Sequence, residues 1–232
     1  MKLIKLTNIK GEIILESGLH IGAGDTEMHI GGTDNPVVTH PHTREPYIPG
    51  SSLKGKVRSL LEMRSGLMSR TGGSPVNIKT LNQVEGNERQ EALNILRLFG
   101  ASGADSDDMK EIGPTRSSFA DCPLSRDSLD IARANNWALT EIKSENSIDR
   151  IKGTALNPRF TERVPAGFKF DFNISIKEME DDDSLLDFLL QGLKLLELDA
   201  LGGSGSRGYG RIRFVFADPG LQQKFDNLSP LA

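Results

Sequence analysis

Phe168-Lys169-Phe170-Asp171-Phe172-Asn173-Ile174-Ser175-Ile176-Lys177 alternates apolar and polar residues over ten positions. A period of two is a strand with one buried face and one wet face; a helical period would scatter those five apolar side chains around its axis. A leucine-rich stretch over about 182–199 follows and reads as a helix. Next comes Gly202-Gly203-Ser204-Gly205-Ser206-Arg207-Gly208-Tyr209-Gly210, and a last strand with Ile212, Phe214 and Phe216 on one face finishes the fold.

At the other end of the chain, Ile9, Gly11, Ile13 and Leu15 share one face of a first strand. A glycine-rich polar loop runs from Gly18 to about Pro49, and a helix then opens at Pro49-Gly50-Ser51, with Ser51 or Ser52 as its cap. Leu53, Val57, Leu60 and Leu61 form its apolar stripe, with Arg64 at the edge and Lys54 and Arg58 on the flank. A second helix buries Ala92, Ile95, Leu96 and Phe99 and stops at Gly100. Ser117 to Cys122 reads as a short strand and Leu124 to Arg133 as a short helix. Residues 67–87 and 101–113 read as flexible loops. The order is β-α-β-β-α-β, the α+β plan of a ferredoxin-like domain with large insertions.

The chain has 232 residues, enough for one large domain with a substantial core. With 37% hydrophobic and 26% charged residues it is not a disordered chain. No apolar run reaches the roughly 20 residues of a membrane span. A single cysteine, Cys122, excludes an internal disulfide and a Cys-rich zinc site and reads as a small buried hydrophobe. These features fit a soluble cytoplasmic protein. The net charge of −4 argues against indiscriminate coating of nucleic acid. The average hides a division: Arg44–Arg70 holds six basic residues and two acids, whereas Glu178–Asp199 holds eight acids and Lys194. That is either a localised basic face or two solvated helix faces.

Gly50-Ser51-Ser52-Leu53-Lys54-Gly55-Lys56 matches the first seven positions of a phosphate-binding P-loop. Val57 stands where the Mg²⁺-ligating hydroxyl belongs, and Pro49 suits no central strand, so nucleotide hydrolysis is disfavoured. A helix start with Lys54, Lys56 and Arg58 around it still suits an anionic backbone. In the nine-residue glycine segment, backbone N–H groups can approach phosphate, with Arg207 as a cation and Tyr209 as a stacking ring; the alternative is a plain surface loop. His20, His29, His40 and His42 have spacings that match no ligand pattern, and His20 alone is kept as a ligand contact. Asp34, in Gly31-Gly32-Thr33-Asp34-Asn35-Pro36, is either a solvated loop carboxylate, a proton acceptor or a ligand for a divalent ion.

Four segments occur in one order: Leu19-His20-Ile21-Gly22-Ala23-Gly24, Ile30-Gly31-Gly32-Thr33-Asp34-Asn35-Pro36-Val37, Tyr47-Ile48-Pro49-Gly50-Ser51-Ser52-Leu53-Lys54-Gly55 and the glycine segment 202–210. In that order they resemble the RAMP superfamily of CRISPR proteins, and in particular the target-cleaving backbone subunits of type III-A (Csm) effector complexes. The resemblance spans the chain from its first strand to its last. It implies a single RAMP domain over 1–232: an RRM-like palm, a catalytic-loop insertion at 18–49 and a β-hairpin thumb, for which 146–166 is the candidate. Copies would stack as a filament on CRISPR guide RNA beside other Csm subunits, and complementary target RNA would be cut at regular intervals. Asp34 would be the catalytic residue, assisting attack by the adjacent ribose 2′-OH with a divalent metal ion, Mg²⁺ first among them, and with Asp34 as its possible ligand. His20, Ser51, Lys54, Lys56, Arg58, Gly203, Gly205, Arg207 and Gly208 would bind guide RNA. The acidic leucine helix would face away from it. The competing reading is a non-catalytic subunit that only holds guide RNA, and an Asp in the loop is what favours cleavage.

Overall fold

The computed structural model describes residues 2–24, 35–101, 109–180, 182 and 185–231. Strand β1 (Leu3–Leu15) is followed, beyond the long loop, by β2 (Tyr47–Ile48) and α1 (Gly50–Arg64). Three helices come next, α2 (Ile78–Leu81), α3 (Gly86–Phe99) and α4 (Met109–Ile112), and then β3 (Ser117–Phe119) and β4 (Cys122–Pro123). Helix α5 (Arg126–Asn135) precedes a hairpin of β5 (Glu141–Ile148) and β6 (Ala155–Arg163). The chain closes with β7 (Lys169–Met179), α6 (Leu185–Leu198), β8 (Ile212–Phe216) and α7 (Pro219–Asp226).

The main sheet has the order β3-β7-β1-β8, with every neighbouring pair antiparallel. That is the ferredoxin-like arrangement expected from the order of elements. The alternation in β7 does what its period requires: Phe170, Phe172, Ile174 and Ile176 are buried. They pair in register with β1, Ile13 opposite Phe170 and Ile9 opposite Ile174, so both strands present one apolar face. Helices α1 and α6 cover it. Gly11 lies opposite both Phe172 and Phe216, whose rings meet edge to face at 5.6 Å. A Cβ at Gly11 would come within 2.9 Å of the Phe172 ring and 2.0 Å of the Val215 carbonyl, so only glycine fits between them.

Several expectations are corrected. The 67–87 segment is packed: Leu67, Val76, Ile78, Leu81 and Val84 are buried, and α2 starts with a reciprocal Asn77–Thr80 capping box. Its apolar residues follow no helical or strand period, so periodicity could not find them. Within 101–113, Met109–Ile112 is helical and Ile112 buried, while 102–108 lie outside the described residues. Neither Ser51 nor Ser52 caps α1; Pro49 holds the cap position, and the Asp121 carboxylate accepts from the Gly50 N–H at 2.8 Å. The hairpin spans 141–163, so its first strand begins earlier than 146. The last strand does not end the fold. Asp218 caps α7 with Pro219 in its first turn, and Phe225 packs 4.8 Å from Phe216, ring centre to ring centre. Cys122 is fully buried, which pushes its thiol up to about 12.

Beside the sheet, Arg116, 2% exposed, makes two bonds of 2.9 Å to Asp182 and donates to the carbonyls of Ile112 and Pro114. Burial opposes charge on Asp182, but the Arg116 guanidinium outweighs it and holds the carboxyl below its ordinary value. A depressed carboxyl stabilises the fold above its unfolded value, about 3.9, and that contribution is lost as pH falls through the folded value. Asp182→Asn should therefore cost about 3–5 kcal/mol at neutral pH, because it strands a buried guanidinium. The gap between wild type and variant in urea unfolding should close as the pH falls below about 4.

Candidate nucleic-acid interface

The loop, the hairpin and the glycine segment converge at the sheet end where β1 leaves and β7 and β8 begin. Leu19 and Val164 exchange backbone hydrogen bonds of 2.9 and 2.8 Å, and the Gly203 N–H donates to the His20 carbonyl at 2.9 Å. The His20 ring lies between the loop and the hairpin. Its Nδ1 is 2.6 Å from the Glu162 carbonyl oxygen, which can only accept, so Nδ1 carries the proton and Nε2 is left as acceptor.

Residues 25–34, with His29 and Asp34, lie outside the described residues. The flanks are firmly placed. Gly22 bridges Val37, and Ala23 donates to the Pro36 carbonyl, so the two ends of the loop meet. Asn35 bridges Thr161 of β6 and accepts from the Glu162 N–H at 3.2 Å. The Glu162 carboxylate takes the Val37 N–H at 2.8 Å and the Thr140 hydroxyl at 2.7 Å. The residue that follows Asp34 is thus bonded to the base of the hairpin.

The glycine segment differs from an open phosphate nest. The amides of Gly203, Arg207, Gly208, Tyr209 and Gly210 already donate to protein carbonyls. At Gly210 (φ +71°) a Cβ would sit 1.9 Å from the Leu201 carbonyl, whereas at Gly208 (φ +82°) it would meet nothing within 4 Å. Gly205 starts a short 3-10 turn that ends at Arg207. Tyr209 is not free to stack on a base. It is fully buried, with Lys143 and Arg163 at 4.5 and 4.9 Å from its ring centre and its hydroxyl donating to Glu145 at 2.9 Å. Arg207 pairs with Glu145 at 3.0 Å. The carboxyl of Glu145 resists charging through burial, yet its bonds from Tyr209, Arg207 and Lys143 hold it below the usual range. The segment is a clasp that fastens the hairpin to the palm.

On α1 the expected basic face is mostly paired. Arg58 bonds Glu62 at 2.7 Å and donates to the Val76 and Gly100 carbonyls, so its guanidinium is committed to the protein and not to an open RNA face. Lys56 meets Asp199, just past the end of α6, at 2.6 Å, so the acidic helix borders the basic one. Ser51 is exposed at the first turn. Lys54 is half-buried with no acid partner among the described residues; burial, and then Arg58 nearby, draws its amine below its ordinary value. Of the four expected α1 contacts, Lys54 is the cation that lacks a counter-charge. Glu145 and Glu162 were not predicted. Apart from Lys143, two residues from Glu145, their partners come from positions tens of residues away, and the local pattern carries no signal of that.

Among the described residues, no group of three or more His, Cys, Asp or Glu side chains could hold a metal ion. No helix there is long and apolar enough to cross a membrane. The sequence pattern of the RAMP superfamily matches residues 12–213. The chain belongs to the RAMP superfamily. Within it, the chain is 40% identical over 219 residues to the CRISPR system Cms endoribonuclease Csm3 of Methanothermobacter thermautotrophicus, covering 89% of this chain and 82% of that one. The Enterococcus italicus protein of the same name is 41% identical over 209 residues, covering 89% and 88%. The fold is also that of the Methanopyrus kandleri Csm3 crystal structure, with TM-score 0.57 and 24% identity over 91% of this chain and 75% of that one.

The two glycines of this RAMP clasp separate conformation from space. Gly208→Ala should cost about 1–2 kcal/mol, the left-handed backbone penalty alone. Gly210→Ala adds a collision with backbone and should cost clearly more in urea unfolding. Equal costs would mean that close packing is not what Gly210 serves.

Proposed function

We propose that this chain is the backbone subunit of a type III-A (Csm) effector complex, binding CRISPR guide RNA as a filament and cleaving complementary target RNA as an endoribonuclease. The observation that carries the reading is likeness at about 40% identity, along nearly the whole chain, to proteins named Csm3 endoribonuclease. The geometry supports it, because the loop bearing Asp34 is anchored at Asn35–Val37 to the base of the hairpin, beside His20. Partners are the guide RNA, the target RNA, further copies of the chain and other Csm subunits.

Asp34 is proposed to assist attack of a target ribose 2′-OH on the adjacent phosphorus. The P–O5′ bond breaks, and a 2′,3′-cyclic phosphate and a 5′-hydroxyl are left. A divalent ion, Mg²⁺ in the first instance, is proposed as cofactor, and it would supply charge to the phosphate. His20 and Lys54 are the proposed guide contacts: His20 presents its second ring nitrogen, and Lys54 a cation with no acid partner among the described residues.

Asp34→Ala, assembled with guide RNA, should bind labelled target as wild type does and cut it about 10²–10⁴-fold more slowly. Regular cutting by that variant on a denaturing gel would move the active site elsewhere. EDTA should stop the wild type, and added Mg²⁺ should restore it. On α1, Lys54→Ala should lower the salt slope of RNA binding by about 0.7 and leave unfolding unchanged. Arg58→Ala should instead cost about 3 kcal/mol of stability, because it leaves the Glu62 carboxylate buried without its partner.

A further inference from the structure

Beside the clasp, the hairpin and the 3-10 turn enclose a groove of about 390 Å³ lined by Lys143, Glu145, Asn157, Arg159 and Arg207. Arg159 stands directly opposite Glu145 in the β5–β6 ladder, is exposed, and makes no ion pair among the described residues. Glu145 therefore faces three cations: Arg207 at 3.0 Å, Lys143 at 3.4 Å and Arg159 across the ladder. The ladder shifts register between Glu145 and Ser147, where Asn157 adopts φ +51°.

We propose that Lys143, Arg159 and Arg207 form a subsite for an RNA phosphodiester, and that the Glu145 carboxylate occupies it while no RNA is bound. This rests on the RNA-binding reading above. A carboxylate and a phosphate offer the same pair of oxygens to a guanidinium fork, so one can replace the other without rebuilding the groove. An incoming phosphate can reach the cations, because Arg207 is 55% exposed and Lys143 37%. Even with Glu145 in place the groove carries an excess of two positive charges. The Tyr209 hydroxyl orients the carboxylate toward these cations, so Glu145 acts as an internal competitor that lowers affinity for RNA and is displaced when a phosphate binds.

Glu145→Gln keeps the shape and a carbonyl for the Tyr209 hydroxyl but removes the charge. Measured by fluorescence anisotropy on the full chain with a labelled single-stranded RNA of mixed sequence, it should bind about three- to tenfold tighter at low salt. The plot of log affinity against log salt should steepen by about 0.7 for each added phosphate contact. Arg207→Ala in the natural chain should make the slope shallower by a similar amount, and Glu145→Gln combined with Arg207→Ala should lose most of the gain. Unchanged or weaker binding by Glu145→Gln with a native Tm overturns the proposal. An unchanged slope for Arg207→Ala overturns it too, even if Glu145→Gln fails to fold. Absence of RNA binding by the unaltered chain would overturn the RNA-binding reading itself, and the subsite with it.

Discussion

The antiparallel ladder between β1 and β7 sets the position of everything else. It runs from Leu3 opposite Met179 to Ile14 opposite Lys169, and β8 joins β1 along Gly11–Leu15. A one-residue slip would turn Ile9 and Ile13 to solvent and bring lysine and glutamate under the helices, so the buried face admits a single register. Gly11 reinforces that register, because only there can the rings of Phe172 and Phe216 close over β1. Once it is fixed, the end of β1 must lie beside the starts of β7 and β8. The loop after β1, the hairpin before β7 and the glycine segment before β8 are therefore gathered at one end of the sheet. The candidate site is a consequence of topology, since three insertions share that end.

Charge in this chain is arranged in pairs across the fold more than in patches along it. The basic run of α1 is mostly engaged: Lys56 meets Asp199 just past α6, Arg58 meets Glu62 one turn along α1 itself, and Arg64 binds Glu91 of α3 and the Gln191 amide of α6. Arginine's planar fork suits this work, because it satisfies carboxylates and backbone carbonyls together and so ties distant segments. Arg58 closes 76 and 100 onto α1, and Arg116 closes 112 and 114 onto Asp182. The cations left without an acid among the described residues, Lys54 and Arg159 included, are where polyanion affinity can reside in a chain of net charge −4.

The clasp shows how a binding-type motif can serve structure first. Five amides of the glycine segment and the Tyr209 ring are all engaged by the protein. Glycine is needed there because backbones touch, as at Gly210 against Leu201, more than because a ligand approaches. Holding the hairpin by a buried tyrosine between two cations fixes its base while leaving its tip exposed, with Ile151 96% exposed.

What the sequence by itself determined is what repeats locally. The alternation 168–177 and that of Ile212–Phe216 placed the strands, the stripe Leu53–Leu61 placed α1, and Gly100 ended α3. The order of these elements was enough for the ferredoxin-like sheet, and the four glycine-containing segments were enough for the superfamily. Tertiary structure alone decided which polar side chains are free. Arg58 and Lys54 look alike in the sequence, four residues apart on one flank, yet one is bonded into the fold and the other is not. Glu145 meets Tyr209 across 64 positions, and His20 meets the Glu162 carbonyl across 142. Periodicity encodes burial because neighbours at i+2 or i+4 share a face. The pairing of charges depends on which faces the completed chain brings together, and that follows only from its closure.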